Sequence, residues 1–348
     1  MLKVAILGGS GYAGCELLRL LLKHPHVTVT SVTSERYSGL PISNVFLNFR
    51  NTAIKFEPLR LTSLVKKADL FFLCLPHKAS QDAVAFLSRA GKKVIDFSAD
   101  YRLKKPAVYR RWYKTGHRHA SLIKDAVYGL PEIHRDALRN ASIIANPGCY
   151  PTGALLSLAP AIRGDMIDTG SIIIDSKSGV SGAGRTPAQP FMFCEVNEST
   201  MAYAVTTHRH TPEIEQELSF LSGKKINVVF TPHLIPMDRG ILSTIYVKLK
   251  EKISMQQVIR LYKKSYKDEP FVRVLSDGLF PCTKAVRGSN FCDISLFLEK
   301  RNRENQTLII ISAIDNLIKG ASGQAVHNMN IMYGFNETAG LTASPPSP

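Results

Sequence analysis

The chain has 348 residues, a length that suggests two domains. Its content of 45% hydrophobic and 21% charged residues indicates a soluble globular protein. It has no apolar run of about 18 residues, which excludes a helical membrane span. The six cysteines form no CxxC pair, so we expect free thiols, a cytoplasmic location and no membrane partner.

The chain is strongly basic, with 44 Lys and Arg against 28 Asp and Glu and a net charge of +16. The cations are scattered in pairs such as Lys66-Lys67 and Arg110-Arg111, without a long block or a nucleic-acid-binding motif. Solvated surface charge is the first interpretation, attraction of small polyanionic ligands the second, and nucleic-acid binding the third. We therefore expect no nucleic-acid partner.

The first predicted strand, residues 3–7, is followed by a glycine-rich run and a periodic helix at residues 15–23. Glycines in this context let the backbone approach a pyrophosphate at the helix N-terminus. The alternative is an ordinary Gly-rich turn. We predict a dinucleotide-binding loop, made of Gly8, Ser10, Gly11, Tyr12, Ala13 and Gly14.

The second predicted strand, residues 27–33, ends at a group of residues that bears on cofactor choice. Glu35 could contact a ribose 2′-hydroxyl, which would indicate NAD, whereas Ser34 and Arg36 could hold a 2′-phosphate, which would indicate NADP. An arginine beside a hydroxyl at the strand tip favours NADP.

Further strands at residues 69–75, 93–97 and 142–145 alternate with helical segments, which predicts a parallel sheet with ligands at the carboxyl ends of its strands. Pro76 and His77 follow one such end and are candidate cofactor-side residues. A packing or surface role is an equal alternative for His77.

The stretch Asn146–Thr152 joins a buried strand to a helix expected to stop near Pro160. Cys149 would lie at the helix N-terminus, where unpaired N–H groups and the helix dipole favour a thiolate. Pro147 and Gly148 suit a sharp bend, Gly148 by tolerating positive φ. A nucleophile is the functional interpretation, and a buried structural cysteine is the alternative.

A strand at residues 171–175 leads into a loop at 176–185 that is rich in small residues and hydroxyls, with two cations. The loop suits contact with a phosphate or carboxylate, or serves as a connector. Farther on, His208 and His210 precede a helix that begins at Thr211 or Pro212. Metal ligation is disfavoured because no partners lie at ligand spacing; a structural pair and an acid/base for a distant thiol remain.

Strands at residues 226–230, 241–249, 271–274, 292–298 and 308–312 predict a largely antiparallel or mixed sheet. We expect residues 232–236 and 238–240 to link the first two strands. A helix through about Met332 follows the last strand.

Several motifs occur in a fixed order along the chain: GGSGYAG, NPGCYPT, SGVSGAGR, HRHTPE, PHLIPMDRGIL and DNLIKGASGQAVHNMN. Together they resemble the N-acetyl-γ-glutamyl-phosphate reductase family, enzymes built like aspartate-semialdehyde and glyceraldehyde-phosphate dehydrogenases. The resemblance implies an α/β fold, with an N-terminal Rossmann-type parallel sheet and an α+β catalytic and dimerisation domain. It implies an NADP-binding domain at 1–148 completed by 315–348, and a catalytic domain at 149–314.

The resemblance also implies roles for individual residues. Cys149 matches the nucleophile and the HRH segment the acid/base, with His210 favoured over His208, which would hold substrate or orient its neighbour. Gly8, Gly11 and Gly14 match the pyrophosphate loop, and Ser34 and Arg36 the ribose-phosphate position. Further expected cofactor contacts are Ser178, Gly179 and Asn316. The candidate anion-binding residues, each with a surface cation as its alternative, are Lys177, Arg185, Arg209 and Arg239.

The reaction implied by the resemblance is the NADPH-dependent reduction of N-acetyl-γ-glutamyl phosphate through a cysteine thioester, in arginine biosynthesis, by a homodimer or homotetramer without a metal. One alternative is the reductase of a carrier-linked aminoadipyl phosphate in lysine biosynthesis, whose nucleophile loop resembles GCNAT, whereas this chain has GCYPT. Another is a non-catalytic nucleotide-sensing or RNA-binding protein, which would leave Cys149 and the HRH segment unexplained.

Overall fold

The structure, a computed structural model, describes residues 1–299, 301 and 306–345. It divides the chain into two compact units. The first comprises Met1–Pro147 and Ala321–Thr342, and the second Gly148–Gly320 with a few residues from Ala343. The expected boundaries at 148/149 and 314/315 lie near these divisions, and residues 346–348 of the expected C-terminal segment lie outside the described part.

The first unit is built on a seven-stranded sheet in which all strand pairs are parallel, with the order β3-β2-β1-β4-β5-β7-β6. Because the order reverses between β1 and β4, the crevice outside their carboxyl ends is the expected place for a ligand. Its elements before residue 147 are β1 (Leu2–Leu7), α1 (Tyr12–Leu21), β2 (Val27–Thr33), β3 (Phe56–Glu57), α2 (Leu61–Leu64), β4 (Leu70–Leu73), α3 (Ala79–Arg89), β5 (Lys93–Asp96), α4 (Pro106–Tyr113), β6 (Ala126–Tyr128), α5 (Pro131–Arg139) and β7 (Ile143–Ala145).

The central strands of this sheet are continuous apolar runs, because both of their faces are covered. Every residue of β4 is fully buried, as are residues 4–7 of β1. Helix α1 turns its leucines to the sheet, with Leu17, Leu18 and Leu21 buried. The predicted parallel sheet with alternating helices is confirmed.

The second unit is built on a seven-stranded sheet with the order β12-β13-β14-β11-β8-β10-β9. The sheet has both parallel and antiparallel pairs, which agrees with the predicted mixed sheet. Helix α6 packs on this sheet against β11 and β14. The elements are α6 (Cys149–Arg163), β8 (Ile173–Ser178), α7 (Phe193–Val196), β9 (Met201–Ala202), α8 (Thr211–Ser222), β10 (Val229–Leu234), β11 (Ile241–Lys248), α9 (Met255–Ser265), β12 (Val272–Val274), β13 (Cys292–Glu299) and β14 (Thr307–Ile314).

Helix α6 does not stop near Pro160; that prediction was wrong, and the helix runs on to Arg163. A proline lacks the N–H that would bond to the carbonyl four residues earlier, here that of Leu156. The Tyr266 hydroxyl donates to that carbonyl instead. A side chain from beyond the end of α9 therefore satisfies the group that Pro160 leaves without its helical donor.

The predicted link at residues 232–236 was also wrong in part, because Pro232, His233 and Leu234 continue β10. The Pro232 carbonyl accepts the Tyr203 N–H at 3.1 Å, on the side of the short strand β9. An N–H at position 232 would point to the same side of β10. Strand β9 pairs only with His233 and Leu234, so the ladder does not need an N–H at position 232. The strand therefore tolerates proline at this position.

A π-helical turn, Ile318–Ser322, leads into α10 (Gly323–Met332), which belongs to the first unit. The Ser322 hydroxyl donates to the Ala13 carbonyl in α1 at 2.7 Å, and the Asn330 side chain contacts the His24 ring at 2.9 Å. All ten residues of α10 are buried, so this helix is part of the core of the first unit. No helix among the described residues is long and apolar enough to cross a membrane.

Candidate active site

The glycine-rich loop after β1 is shaped by close backbone contacts. Gly8 has φ of +82°, and a Cβ atom there would lie 2.6 Å from the Cys74 carbonyl oxygen. A Cβ on Gly14 would lie 2.7 Å from the Gly9 Cα, so the loop folds tightly onto itself. Gly11, the cap residue directly before α1, has no capping side chain and has open space where a Cβ would stand. This combination fits a pyrophosphate approaching the first amides of α1.

The tip of β2 presents a hydroxyl and a cation near this loop. The Ser34 hydroxyl donates to the Ser10 hydroxyl at 2.9 Å, and the exposed Arg36 guanidinium lies 5.4 Å from the centre of the Tyr37 ring. The Glu35 carboxylate instead accepts the Leu59 N–H at 2.9 Å. Ser34 and Glu35 are thus both hydrogen-bonded within the first unit, and the Arg36 side chain is exposed.

His77 joins two of the loops at the carboxyl edge of the parallel sheet. Its Nδ1 accepts the Ala99 N–H at 3.1 Å, and its ring contacts Tyr113 edge-on at 5.3 Å. The next residue, Lys78, has φ of +74°, and its N–H bonds to the buried Asp100 carboxylate at 2.9 Å. His77 thus fixes the course of its loop, while Pro76 before it is exposed.

Cys149 is the first residue of α6, and Gly148 is the cap before it. The expectation of positive φ at Gly148 was wrong, since its φ is −69°. Glycine stands there because a Cβ atom would lie 2.5 Å from His210 Nε2. On the other side of Cys149, a Cβ on Gly320 would lie 2.8 Å from the Cys149 Cβ. Both glycines therefore allow other groups to pack closely around Cys149.

Glu213 is a site residue that the sequence analysis missed. Its carboxylate is almost fully buried and accepts the Gly148 N–H at 2.8 Å, directly before Cys149. It lies one helical turn after His210, so both side chains are on the face of α8 that meets Gly148. The spacing of three residues between His210 and Glu213 is the sequence signal that could have identified it.

His208 is held in one tautomer by its neighbours. Its Nδ1 accepts the His210 N–H at 3.1 Å, which leaves the proton of the neutral ring on Nε2, 3.4 Å from the Tyr203 hydroxyl. Burial, followed by the charge of Arg209, lowers the pKa of His208 to about 4. The lowered pKa favours the neutral form of the His208 ring near pH 7.

Two tyrosines complete the surroundings of the histidines. The Tyr150 and Tyr203 hydroxyls are 3.0 Å apart, and the Tyr150 ring contacts the His208 and His210 rings edge-on, with centroids 5.3 and 5.9 Å away. Burial raises the pKa of Tyr150 and raises that of Tyr203 to about 12. Both hydroxyls consequently remain protonated near neutral pH.

Asn316, a predicted cofactor contact, joins two loops of the second unit. Its Oδ1 accepts the Gly240 N–H at 2.7 Å, and its Nδ2 donates to the Ser181 hydroxyl at 3.0 Å. Of the other two predicted contacts in this region, Ser178 donates to the Gly179 carbonyl at 3.0 Å. A Cβ on Gly179 would lie 2.7 Å from the Asp238 carbonyl oxygen, so the two loops touch.

The four candidate anion-binding cations occupy different environments. Arg239 Nη2 donates to the buried Asp315 carboxylate at 3.1 Å, beside Asn316. Lys177 is paired with Asp175 at 2.6 Å on the sheet face away from α6, so the structure does not bring it to Cys149. Arg209 is exposed, and Arg185 lies in a largely exposed segment. Arg239 is thus held in place by a buried carboxylate.

The described residues contain no group of three or more His, Cys, Asp or Glu side chains that could hold a metal ion. In the described part of the chain all six cysteines are free thiols.

Two family models match the chain. The NAD binding domain of semialdehyde dehydrogenases matches residues 3–141, and the dimerisation domain of semialdehyde dehydrogenases matches residues 149–316. Together they account for most of the sequence and for both units of the fold.

Curated proteins named N-acetyl-gamma-glutamyl-phosphate reductase are similar to the chain over its full length. The protein from Geobacter metallireducens is 53% identical over 347 residues, which cover 99% of each chain. The protein from Pelobacter propionicus is 54% identical over 344 residues, which cover 98% of each chain. The resemblance drawn from the sequence motifs is confirmed.

Solved structures of aspartate semialdehyde dehydrogenases share the fold. The enzyme II from Vibrio cholerae, complexed with ASA, has a TM-score of 0.73 at 16% identity and covers 96% of this chain and 98% of its own. The enzyme with NADP from Candida albicans has a TM-score of 0.68 at 14% identity and covers 96% of this chain and 98% of its own. At such identities the likeness establishes the fold alone, and it confirms the predicted fold class.

Proposed function

The chain belongs to the N-acetyl-gamma-glutamyl-phosphate reductase family, and from this membership we propose that it reduces N-acetyl-γ-glutamyl phosphate with NADPH, yielding N-acetyl-L-glutamate 5-semialdehyde and phosphate in arginine biosynthesis. The observation that carries the proposal is the position of Cys149. It begins α6 directly after Gly148, which the His210 ring and the Glu213 carboxylate both contact.

Cys149 is the nucleophile of the proposed reaction. Its thiolate attacks the acyl carbon of the substrate, a C–S bond forms, and the bond to the phosphate oxygen breaks with its electron pair leaving on phosphate. The amides at the start of α6 stabilise negative charge on sulfur before the attack. The product of this half-reaction is a thioester on Cys149 and free phosphate.

NADPH, when bound, supplies the hydride that reduces the thioester carbon. His210 Nε2 donates a proton to the oxygen of the resulting hemithioacetal and takes it back as the C–S bond breaks and the aldehyde leaves. We assign this role to His210 rather than His208, because burial lowers the pKa of His208 to about 4. We assign His208 to orienting His210, whose N–H it accepts.

We propose NADP(H) rather than NAD(H) as the cofactor. Ser34 and Arg36 at the tip of β2 would hold the 2′-phosphate, while Glu35 is engaged by the Leu59 amide. The pyrophosphate would lie on the amides at the start of α1, where Gly11 leaves room for it.

The proposed function is tested by the reverse reaction. Purified protein is incubated with N-acetylglutamate semialdehyde, phosphate and NADP⁺, and the reduced cofactor is followed by absorbance. We expect turnover by the wild-type protein, none by Cys149→Ala, and wild-type turnover by Cys282→Ala, which removes an exposed thiol. An inactive wild type, or an active Cys149→Ala variant, would contradict the proposal.

Oligomeric state and compartment complete the proposal. The match to a dimerisation domain supports a homodimer or homotetramer, which light scattering of the purified protein would distinguish. Free cysteines support work in a reducing compartment, the cytoplasm.

A further inference from the structure

Asp315, at the end of β14, gathers groups from three segments of the second unit. Its carboxylate is fully buried and accepts Arg239 Nη2 at 3.1 Å and the Gly288 N–H at 2.6 Å. The same carboxylate accepts the N–H groups of Leu317 and Ile318 at 2.8 and 3.1 Å. Three of its four donors are thus neutral backbone amides, and one is a charged side chain.

The backbone of Asp315 reaches toward the nucleophile. Its carbonyl accepts the Gly320 N–H at 3.0 Å, which closes the turn between β14 and the π-helical segment. Gly320 is the residue whose Cβ, if present, would lie 2.8 Å from the Cys149 Cβ. One residue therefore holds both a cation and the backbone that packs on Cys149.

We propose that Asp315 is a positioning residue, which fixes the Arg239 guanidinium as the group that binds an oxyanion of the substrate. The inference rests on the proposed function for the identity of that substrate, which carries both a phosphoryl group and a carboxylate. Arginine suits this task because its planar fork binds either anion through two parallel hydrogen bonds, but only when its orientation is set.

A second arginine paired with a buried aspartate, Arg273 with Asp293 in the same unit, shows what makes Asp315 different. Asp293 accepts both Nε and Nη2 of Arg273, at 2.5 and 2.9 Å, and Arg273 also lies over the Phe291 ring at 4.2 Å. That pair is bidentate, and Arg273 Nη2 also donates to the Ala285 carbonyl at 3.3 Å. Asp315 accepts a hydrogen bond from one guanidinium nitrogen of Arg239 and its other hydrogen bonds from backbone amides. It therefore orients Arg239 without forming a bidentate pair with it.

The test uses Asp315→Asn, which keeps the size of the side chain and removes its charge. We expect KM for phosphate or for the semialdehyde in the reverse reaction to rise about tenfold or more, which corresponds to about 1.4 kcal/mol. The substrate whose KM rises identifies the anion that Arg239 binds. Asp293→Asn is the matched control, because it removes the same charge from a buried aspartate that is paired with an arginine, and its KM values should stay within about twofold of wild type.

A second readout does not need turnover. Alkylation of Cys149 by iodoacetamide is measured with increasing phosphate or N-acetylglutamate, and the anion concentration that gives half protection is compared between variants. We expect it to rise about tenfold in Asp315→Asn and not in Asp293→Asn. If the half-protecting concentration rises in this way but the wild-type protein has no turnover, the result supports the inference about Asp315 and contradicts only the proposed function.

Arg239→Lys keeps the test decisive if Asp315→Asn does not fold, which a melting curve would show. Lysine retains the positive charge but has no fork for Asp315 to orient, so the same rise in KM and in half-protecting concentration is expected. The inference is overturned if active Asp315→Asn or Arg239→Lys has wild-type values in both readouts, or if Asp293→Asn changes them equally.

Discussion

Replacing Gly148 by alanine should disable the proposed acid/base without disturbing the fold. The φ and ψ of Gly148, −69° and 154°, are ordinary for alanine, so the backbone is not strained by the change. The added Cβ, however, would lie 2.5, 2.8 and 2.9 Å from three atoms of the His210 ring. Since ordinary contact begins near 3.4 Å, the ring must retreat by about 1 Å, and a misplacement of that size can reduce turnover about 100-fold.

The assay for Gly148→Ala is steady-state kinetics in the reverse direction, together with a melting curve. We expect kcat to fall about 100-fold while KM changes little, and Cys149 should still be alkylated by iodoacetamide. Gly153→Ala is the control, because it lies in the same helix and the nearest atom to its new Cβ, the Ser312 hydroxyl oxygen, is 3.7 Å away. It should remain active and gain about 1 kcal/mol in stability from helix propensity. A Gly148→Ala enzyme with kcat within twofold of wild type would refute the reasoning.

Three further predictions concern other groups. Tyr266→Phe leaves the Leu156 carbonyl without its donor and should lower the free energy of unfolding by about 1–3 kcal/mol, measured in denaturant. Tyr262→Phe should cost less, because the Ser157 carbonyl that it contacts is followed four residues later by a residue with an N–H; equal losses would contradict this account. His208 has a folded pKa of about 4 against 6.5 unfolded, so the unfolded state takes up its proton first as pH falls. Stability should therefore fall between pH 6.5 and 4 more steeply in wild type than in His208→Gln, as melting temperatures across that range would show. Arg36→Ala should raise KM for NADP⁺ about tenfold and leave KM for NAD⁺ unchanged, whereas parallel changes would argue against a 2′-phosphate contact.

The features that the sequence predicted best depend on neighbours in the chain. The glycine pattern before α1 lies within seven consecutive residues. The helix start near Cys149 is predicted by the apolar strand and the turn residues that come directly before it. The central strands were recognisable because burial on both faces requires unbroken apolar runs, as in β4.

The features that escaped prediction depend on residues far apart in sequence. Gly148 was assigned to a bend, whereas its small size serves the His210 ring, which arrives from another helix. Pro160 should end a helix by local rules, but the Tyr266 hydroxyl replaces the lost bond. The functions of Glu213 and Asp315 come from the amides and the guanidinium that they meet in three dimensions, and the sequence does not show those partners.

The division of the chain has a consequence for its synthesis on the ribosome. The first unit takes β1 from residues 2–7 and α10 from residues 323–332, whereas the main segment of the second unit, Gly148–Gly320, has been made before α10. At about 5–20 residues per second, roughly 15–65 s separate the two ends of the first unit. The later part of the sequence can thus finish folding first. Until α10 has been made, the apolar surface of the first unit that α10 covers stays exposed. A nascent chain arrested before α10 would expose that surface, which makes it a substrate for chaperones or proteases.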